Sequence, residues 1–152
     1  MIWFEDMAVG RVDRFGSMAV TREEVLDFAR RYDPQPFHLD DAAAEANPLF
    51  GRLAASGWHT AAMGMRMVAD HWAELGGRAI LGGAGIDELR WLKPVYPGDR
   101  LRAESEVIEA RPSASKPDRG IVRVRLVLFN QDDEPVLSQI SNVLIRRSPE
   151  GA

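Results

Sequence analysis

The second half of the chain constrains the fold most. Residues 86–91, 101–110, 121–130 and 136–145 are four apolar or β-branched runs in close succession, the composition of strands. The alternation is clearest in the third, with Val122, Val124, Leu126 and Leu128 on one face and Arg123 and Arg125 on the other. Turn-forming residues separate the runs: Pro97-Gly98-Asp99, then Pro112 to Gly120, then Asn130 to Glu134. Consecutive strands with short turns between them point to an antiparallel sheet.

The first half reads as helices after one extended segment at residues 11–20. Thr21-Arg22-Glu23-Glu24 is a capping box, in which the Thr21 hydroxyl accepts from the Glu24 N–H and the Glu24 carboxylate reaches back. Val25, Phe28, Ala29 and Tyr32 follow at helical spacing, and Pro34 and Pro36 stop the helix near Tyr32. Residues 40–47 suit a short helix ended by Pro48. A longer helix opens at Ser56-Gly57, and Gly76-Gly77 ends it. Its stripe of Ala61, Ala62, Met65, Val68, Ala69 and Trp72 predicts a helix of about 25 Å, largely wrapped by other structure. Helices first and strands afterwards give an α+β fold, with the long helix laid on one face of the sheet.

Composition narrows the class. At 152 residues, 45% hydrophobic and 28% charged, the chain fits a single domain over 1–152 with a real core. There is no cysteine, so disulfides and thiolate metal sites are excluded. The start carries no secretory signal and no apolar run is long enough to span a bilayer, so a cytoplasmic protein without membrane attachment is expected. A net charge of −4 and dispersed arginines argue against a nucleic-acid partner.

The chemically informative stretch is Tyr32-Asp33-Pro34-Gln35-Pro36-Phe37-His38-Leu39-Asp40. Two prolines stiffen it, and an acid–base pair needs such rigidity, because a misplacement of about 1 Å costs on the order of 100-fold in rate. Histidine has a suitable intrinsic pKa, and a neighbouring carboxylate tunes it. Taken alone, an aspartate closing a helix and a histidine bonded in a loop have the same pattern. A second stretch is Leu53-Ala54-Ala55-Ser56-Gly57-Trp58-His59-Thr60. Ser56 is a good N-cap, Gly57 lets a ligand approach the backbone, and a helix start presents free N–H groups to an oxyanion. By itself, Ser-Gly also merely starts a helix.

Together these stretches resemble the MaoC-like dehydratases, the group that includes (R)-specific enoyl-CoA hydratases. That family's motif of Asp, any residue, Asn, Pro, an apolar residue and His stands here as Asp33-Pro34-Gln35-Pro36-Phe37-His38. Its small-residue-Gly step into the central helix stands as Ser56-Gly57, and its Lys/Arg-Pro-Val, two residues, Gly-Asp run as Lys93-Pro94-Val95-Tyr96-Pro97-Gly98-Asp99. The likeness covers residues 11–147.

The resemblance implies the hot-dog fold, an antiparallel sheet wrapped around a long helix, and a homodimer or higher homo-oligomer with sheets joined edge to edge. It implies an acyl-CoA substrate, with Asp33 and His38 as the catalytic pair holding a water above the double bond of a 2-enoyl thioester. Gly57, with Ser56 and Trp58, would bind the thioester carbonyl; Gln35, Phe37 and His59 would line the pocket. No metal or redox cofactor is implied, and no histidine pair has metal-ligand spacing with a supporting carboxylate. The departures are Gln35 in place of the usual Asn, the added Pro34, and Met63-Gly64-Met65 where some relatives carry a serine.

Other readings stay open. His59 is read first as satisfied by a local hydrogen bond, and His71 as a surface partner of the helix dipole. Met63, Met65 and Met67 read as core or pocket filler. Lys116 and Arg119 read as a solvated turn or as contacts to CoA phosphates. A thioesterase remains the rival activity, because a fold does not decide function. It would want a carboxylate on the central helix, where Asp70 lies far down. A non-catalytic acyl-thioester-binding domain is the third reading.

Overall fold

The computed structural model describes residues 1–151. Its elements run β1 (Val12–Ala19), α1 (Arg22–Tyr32), α2 (Asp41–Ala46), α3 (Gly57–Glu74), β2 (Ile80–Trp91), β3 (Arg100–Pro112), β4 (Arg119–Phe129) and β5 (Pro135–Arg146), with 3-10 turns at Phe4–Asp6 and Pro36–His38. The strands form one sheet in the order β1-β3-β4-β5-β2, every neighbouring pair antiparallel. The helices lie in the connection between β1 and β2, and α3 packs on β1 and β3. Among the described residues no helix is long and apolar enough to cross a membrane.

Local chemistry sets the elements. Thr21 caps α1 by accepting from the Glu24 N–H at 3.2 Å. The Glu24 carboxylate reaches back to the Thr21 hydroxyl at 3.1 Å, where the sequence pattern points to the backbone N–H. Strand β4 follows its alternation, with Val122, Val124, Leu126 and Leu128 all buried. Strand β2 begins at Ile80, six residues before the segment that sequence suggests, because Gly82, Gly83 and Gly85 carry no side chains to alternate. Gly82 and Gly85 sit at φ +145° and +150°, which admits only glycine comfortably, and the pairing with β5 shifts register around them.

Helix α3 buries a different face from the one its apolar stripe suggests. His59, Thr60, Met63, Gly64 and Met67 are buried, whereas Ala62, Met65 and Ala69 are exposed. Apolar residues nearly encircle this helix, so their spacing alone does not choose the packed face. Gly64 does: a Cβ there would come 2.9 Å from a Leu128 methyl, so the helix approaches the sheet where it has no side chain. The helix is therefore wrapped on one side only. The core lies in two apolar clusters, one around Leu101, Leu128 and Leu137 and one around Val122, Val143 and Ile145.

Candidate active site

Asp33 closes α1 as its C-cap, and the two prolines carry the chain through an extended Gln35 into the 3-10 turn that ends on His38. This brings His38 Nε2 to 3.4 Å from Asp33 Oδ2, with side-chain exposures of only 5% and 14%. The other ring nitrogen, Nδ1, lies 2.8 Å from the Ala54 carbonyl oxygen. A carbonyl only accepts, so in the neutral ring Nδ1 carries the proton and Nε2 offers its lone pair toward Asp33.

Gln35 donates from Nε2 to Asp33 Oδ1 at 2.7 Å, so the longer amide at this position still braces the carboxylate. Burial pushes the Asp33 carboxyl up, but hydrogen bonds from Ser56 and Gln35 and the charge of His38 outweigh it and hold the group below the ordinary aspartate range. Phe37 sets its ring edge-on to His38 at 4.7 Å, and Phe50, itself 5.2 Å from Phe37, lies tilted against the same imidazole at 5.5 Å. Tyr96 donates to the Phe50 carbonyl at 2.6 Å and fixes that segment.

Ser56 is fully buried at the start of α3, where its hydroxyl accepts from the Trp58 N–H at 3.2 Å. The Trp58 N–H is thereby occupied. Gly57, as the first helical residue, has no carbonyl one turn back to receive its own N–H. A Cβ on Gly57 would fall 2.5 Å from the Trp91 ring, so glycine is required for the helix start to lie against this indole. The exposed Trp58 ring meets Trp91 edge-on at 5.1 Å.

His59 lies against α1, stacked on Phe28 at 4.8 Å, and its buried Nδ1 has no partner among the described residues. The local hydrogen bond read for it is therefore not made by that nitrogen. Burial holds its pKa down, against the opposing charge of Glu24. His71 is not at the surface: its side chain is 14% exposed and stacks flat on Phe15 at 4.2 Å. Phe15 and Asp13 of β1 lie against it, which helical position alone does not reveal. Met63 and Met67 fill the core, but Met65 is 54% exposed. Arg119 opens β4 and pairs with Asp118 at 2.8 Å. The register sets Trp91 level with Leu137 and Leu128, nine residues along β4 from Arg119, or about 30 Å. Lys116 and Arg119 thus lie far from Asp33 of the same chain.

Sequence reasoning missed the Ala54 carbonyl, Phe50, Tyr96 and Trp91. A backbone carbonyl leaves no mark in a sequence, and the aromatic residues become neighbours of the site only through the fold. What the arrangement offers is two acceptors, Asp33 Oδ2 and His38 Nε2, facing one point beside a helix N-terminus.

The model of the MaoC like domain matches residues 6–127. The chain belongs to the MaoC-like family. It is 31% identical over 145 residues to YdeM, an uncharacterized protein of Bacillus subtilis, covering 94% of this chain and 98% of that one. A MaoC-like dehydratase from Rhodospirillum rubrum superposes with a TM-score of 0.88 at 40% identity, over 98% of this chain and 99% of the other. The (R)-hydratase PhaJ1 from Pseudomonas aeruginosa, unliganded, gives a TM-score of 0.72 at 25% identity, over 97% and 87%. The fold of this MaoC-like chain is the hot-dog fold, with α3 as the helix carried by the sheet.

Proposed function

We propose that this MaoC-like protein adds water to 2-enoyl-CoA thioesters, or removes it from 3-hydroxyacyl-CoA thioesters, with Asp33 and His38 as its acid–base pair. The observation that carries the reading is the 3.4 Å approach of two hydrogen-bond acceptors that cannot bond each other in the neutral-ring state. A water about 2.8 Å from both would donate one proton to each. The pair thus holds a nucleophile with its lone pairs free. As that water attacks the β-carbon, the pair takes one of its protons and returns a proton to the α-carbon, acting as a coupled unit. Negative charge that builds on the thioester oxygen is met by the Gly57 N–H, a contribution of about 3 kcal/mol in the transition state. Dehydration runs the same path backwards.

The reading includes a homodimer. β2 ends the sheet order, so one side of it is unpaired, and Leu81, Ile86, Trp91 and Leu92 are exposed on or beside it. Bare apolar edges favour pairing with another strand, and a second copy of β2 running antiparallel satisfies both. Asp70, the acid on α3 that a thioesterase would use, is instead held by Arg66 at 2.8 Å on the surface.

A panel of 2-enoyl-CoAs tests the reaction. Loss of the enoyl-thioester ultraviolet absorbance without free thiol supports hydration. Release of thiol establishes the thioesterase instead, and binding without either change leaves only a binding domain.

A further inference from the structure

The sheet face beneath α3 breaks the alternation that builds it. Residues paired across an antiparallel sheet point to the same side. The register sets Asp13, Ser105, Leu126 and Gln139 in one row across β1, β3, β4 and β5, and Val107, Val124, Ser141 and Ile86 in the next. Leu126 packs in the core with Met63 and Met67, so this is the face turned toward the helix. Ser105, Gln139 and Ser141 therefore occupy positions where the period of two calls for apolar side chains. They form a belt between the two apolar clusters of the core.

The belt lies on the wall of a cavity of about 680 Å³, a volume in the range of small-ligand pockets. Met65, Val68, Ala69 and Trp72 line its helix side, and it reaches from the glycine-rich start of β2 to Asp13 and Phe15 on β1. This is where the apolar stripe of α3 faces. Gln139 donates to Ser141 at 3.1 Å; the Ser105 hydroxyl and the Gln139 Oε1 have no partner among the described residues. Both atoms are open to the cavity rather than sealed in the core, so a bound group can pair with them. The charges on the wall are already accounted for: Asp13 is bonded by Arg11 at 2.8 Å, and Arg78 is exposed at the rim.

We propose that this cavity is a compartment for an acyl chain bearing a neutral hydrogen-bonding substituent, a hydroxyl or carbonyl, which Ser105, Gln139 and Ser141 select. The proposal rests on the acyl-thioester reading above. Asp33, His38 and Gly57 are not on its wall, and Met65, the first α3 residue that is, lies eight positions or about 12 Å along the helix from Gly57. The selected group therefore stands well out along the chain from the carbons that react. An anionic chain would meet the Asp13 carboxylate. At Gly83, a Cβ would meet only the Asn142 carbonyl oxygen at 4.0 Å, so a side chain there fits the backbone and fills the cavity.

The test is calorimetric titration with decanoyl-CoA, which is saturated and does not react, and with decanoyl-CoAs carrying one hydroxyl at successive outer positions. Wild type is expected to bind one hydroxylated chain about tenfold more tightly than decanoyl-CoA, the gain of one satisfied hydrogen bond. Gln139→Leu should erase that preference while melting no lower than wild type, because leucine restores the alternation. Ser105→Ala provides a milder version of the same loss. Gly83→Leu should weaken every chain about tenfold or more. No preference in wild type, a preference that survives Gln139→Leu, binding indifferent to Gly83→Leu, or no binding of any chain would each overturn the proposal. Hydration of crotonyl-CoA by wild type against Asp33→Asn is read separately, so failure of the catalytic reading is distinguishable from failure of the compartment.

Discussion

His38 Nδ1 lies 2.8 Å from the Ala54 carbonyl oxygen, and that bond decides what the other ring nitrogen presents to Asp33. It runs from the 3-10 turn to the segment entering α3, and both residues are buried. Flipping the ring would leave the carbonyl without its donor, a loss of about 1–3 kcal/mol. The neutral ring is thereby held with Nε2 as an acceptor, which suits it to receive a proton from water.

Ser56 serves two neighbours, capping α3 and helping to hold the Asp33 carboxyl below its ordinary range. Ser56→Ala should lower stability by about 1 kcal/mol, as loss of an N-cap does. It should also raise the Asp33 pKa, moving the acid limb of kcat/KM to higher pH. Asp33, lowered in the folded state, contributes stability above its unfolded pKa that is lost as pH falls through the folded value. In Ser56→Ala that window narrows, which denaturant unfolding across acid pH will measure.

Gly57→Ala should push the helix start away from Trp91, since its Cβ would fall 2.5 Å from the indole. An overpacking cost of about 1–3 kcal/mol is expected, with kcat/KM falling about 10- to 100-fold from displacement of the N–H. Adding Trp91→Leu makes room and should recover a large part of both losses. Equal losses in the single and double variants would assign Gly57 another role.

His59 is buried with an unpaired Nδ1, and burial lowers its pKa. A histidine depressed in the folded state contributes stability that is complete above its unfolded pKa of about 6.5. That stability is lost as pH falls through the lower folded value. His59→Leu should remove this part of the acid sensitivity and leave stability at pH 7 equal or higher, because an unpaired polar atom is gone. A steeper acid loss in the variant would contradict this.

Legibility in the sequence followed side-chain patterning. The cap at Thr21, the alternation of β4 and the stiff Asp33–His38 turn are written in residue types and spacing, and each stands where it was expected. The first half of β2 was hidden because glycine has no face. The packed side of α3 was hidden because its apolar residues run almost around the helix, and the choice falls to Gly64 against Leu128. The site was legible only in its side chains: Gln35 does brace Asp33, but the Ala54 carbonyl that orients His38 is backbone. The polar belt was invisible until register aligned Ser105, Leu126 and Gln139 across three strands.

The most direct test of the water-holding pair is the hydration rate of one reactive 2-enoyl-CoA by wild type, Asp33→Asn and His38→Ala at equal folded concentration. Each variant should lose 100-fold or more, on the order expected for an acid–base group, with the oligomer unchanged. Variants that hydrate at near the wild-type rate would place the chemistry elsewhere in the fold.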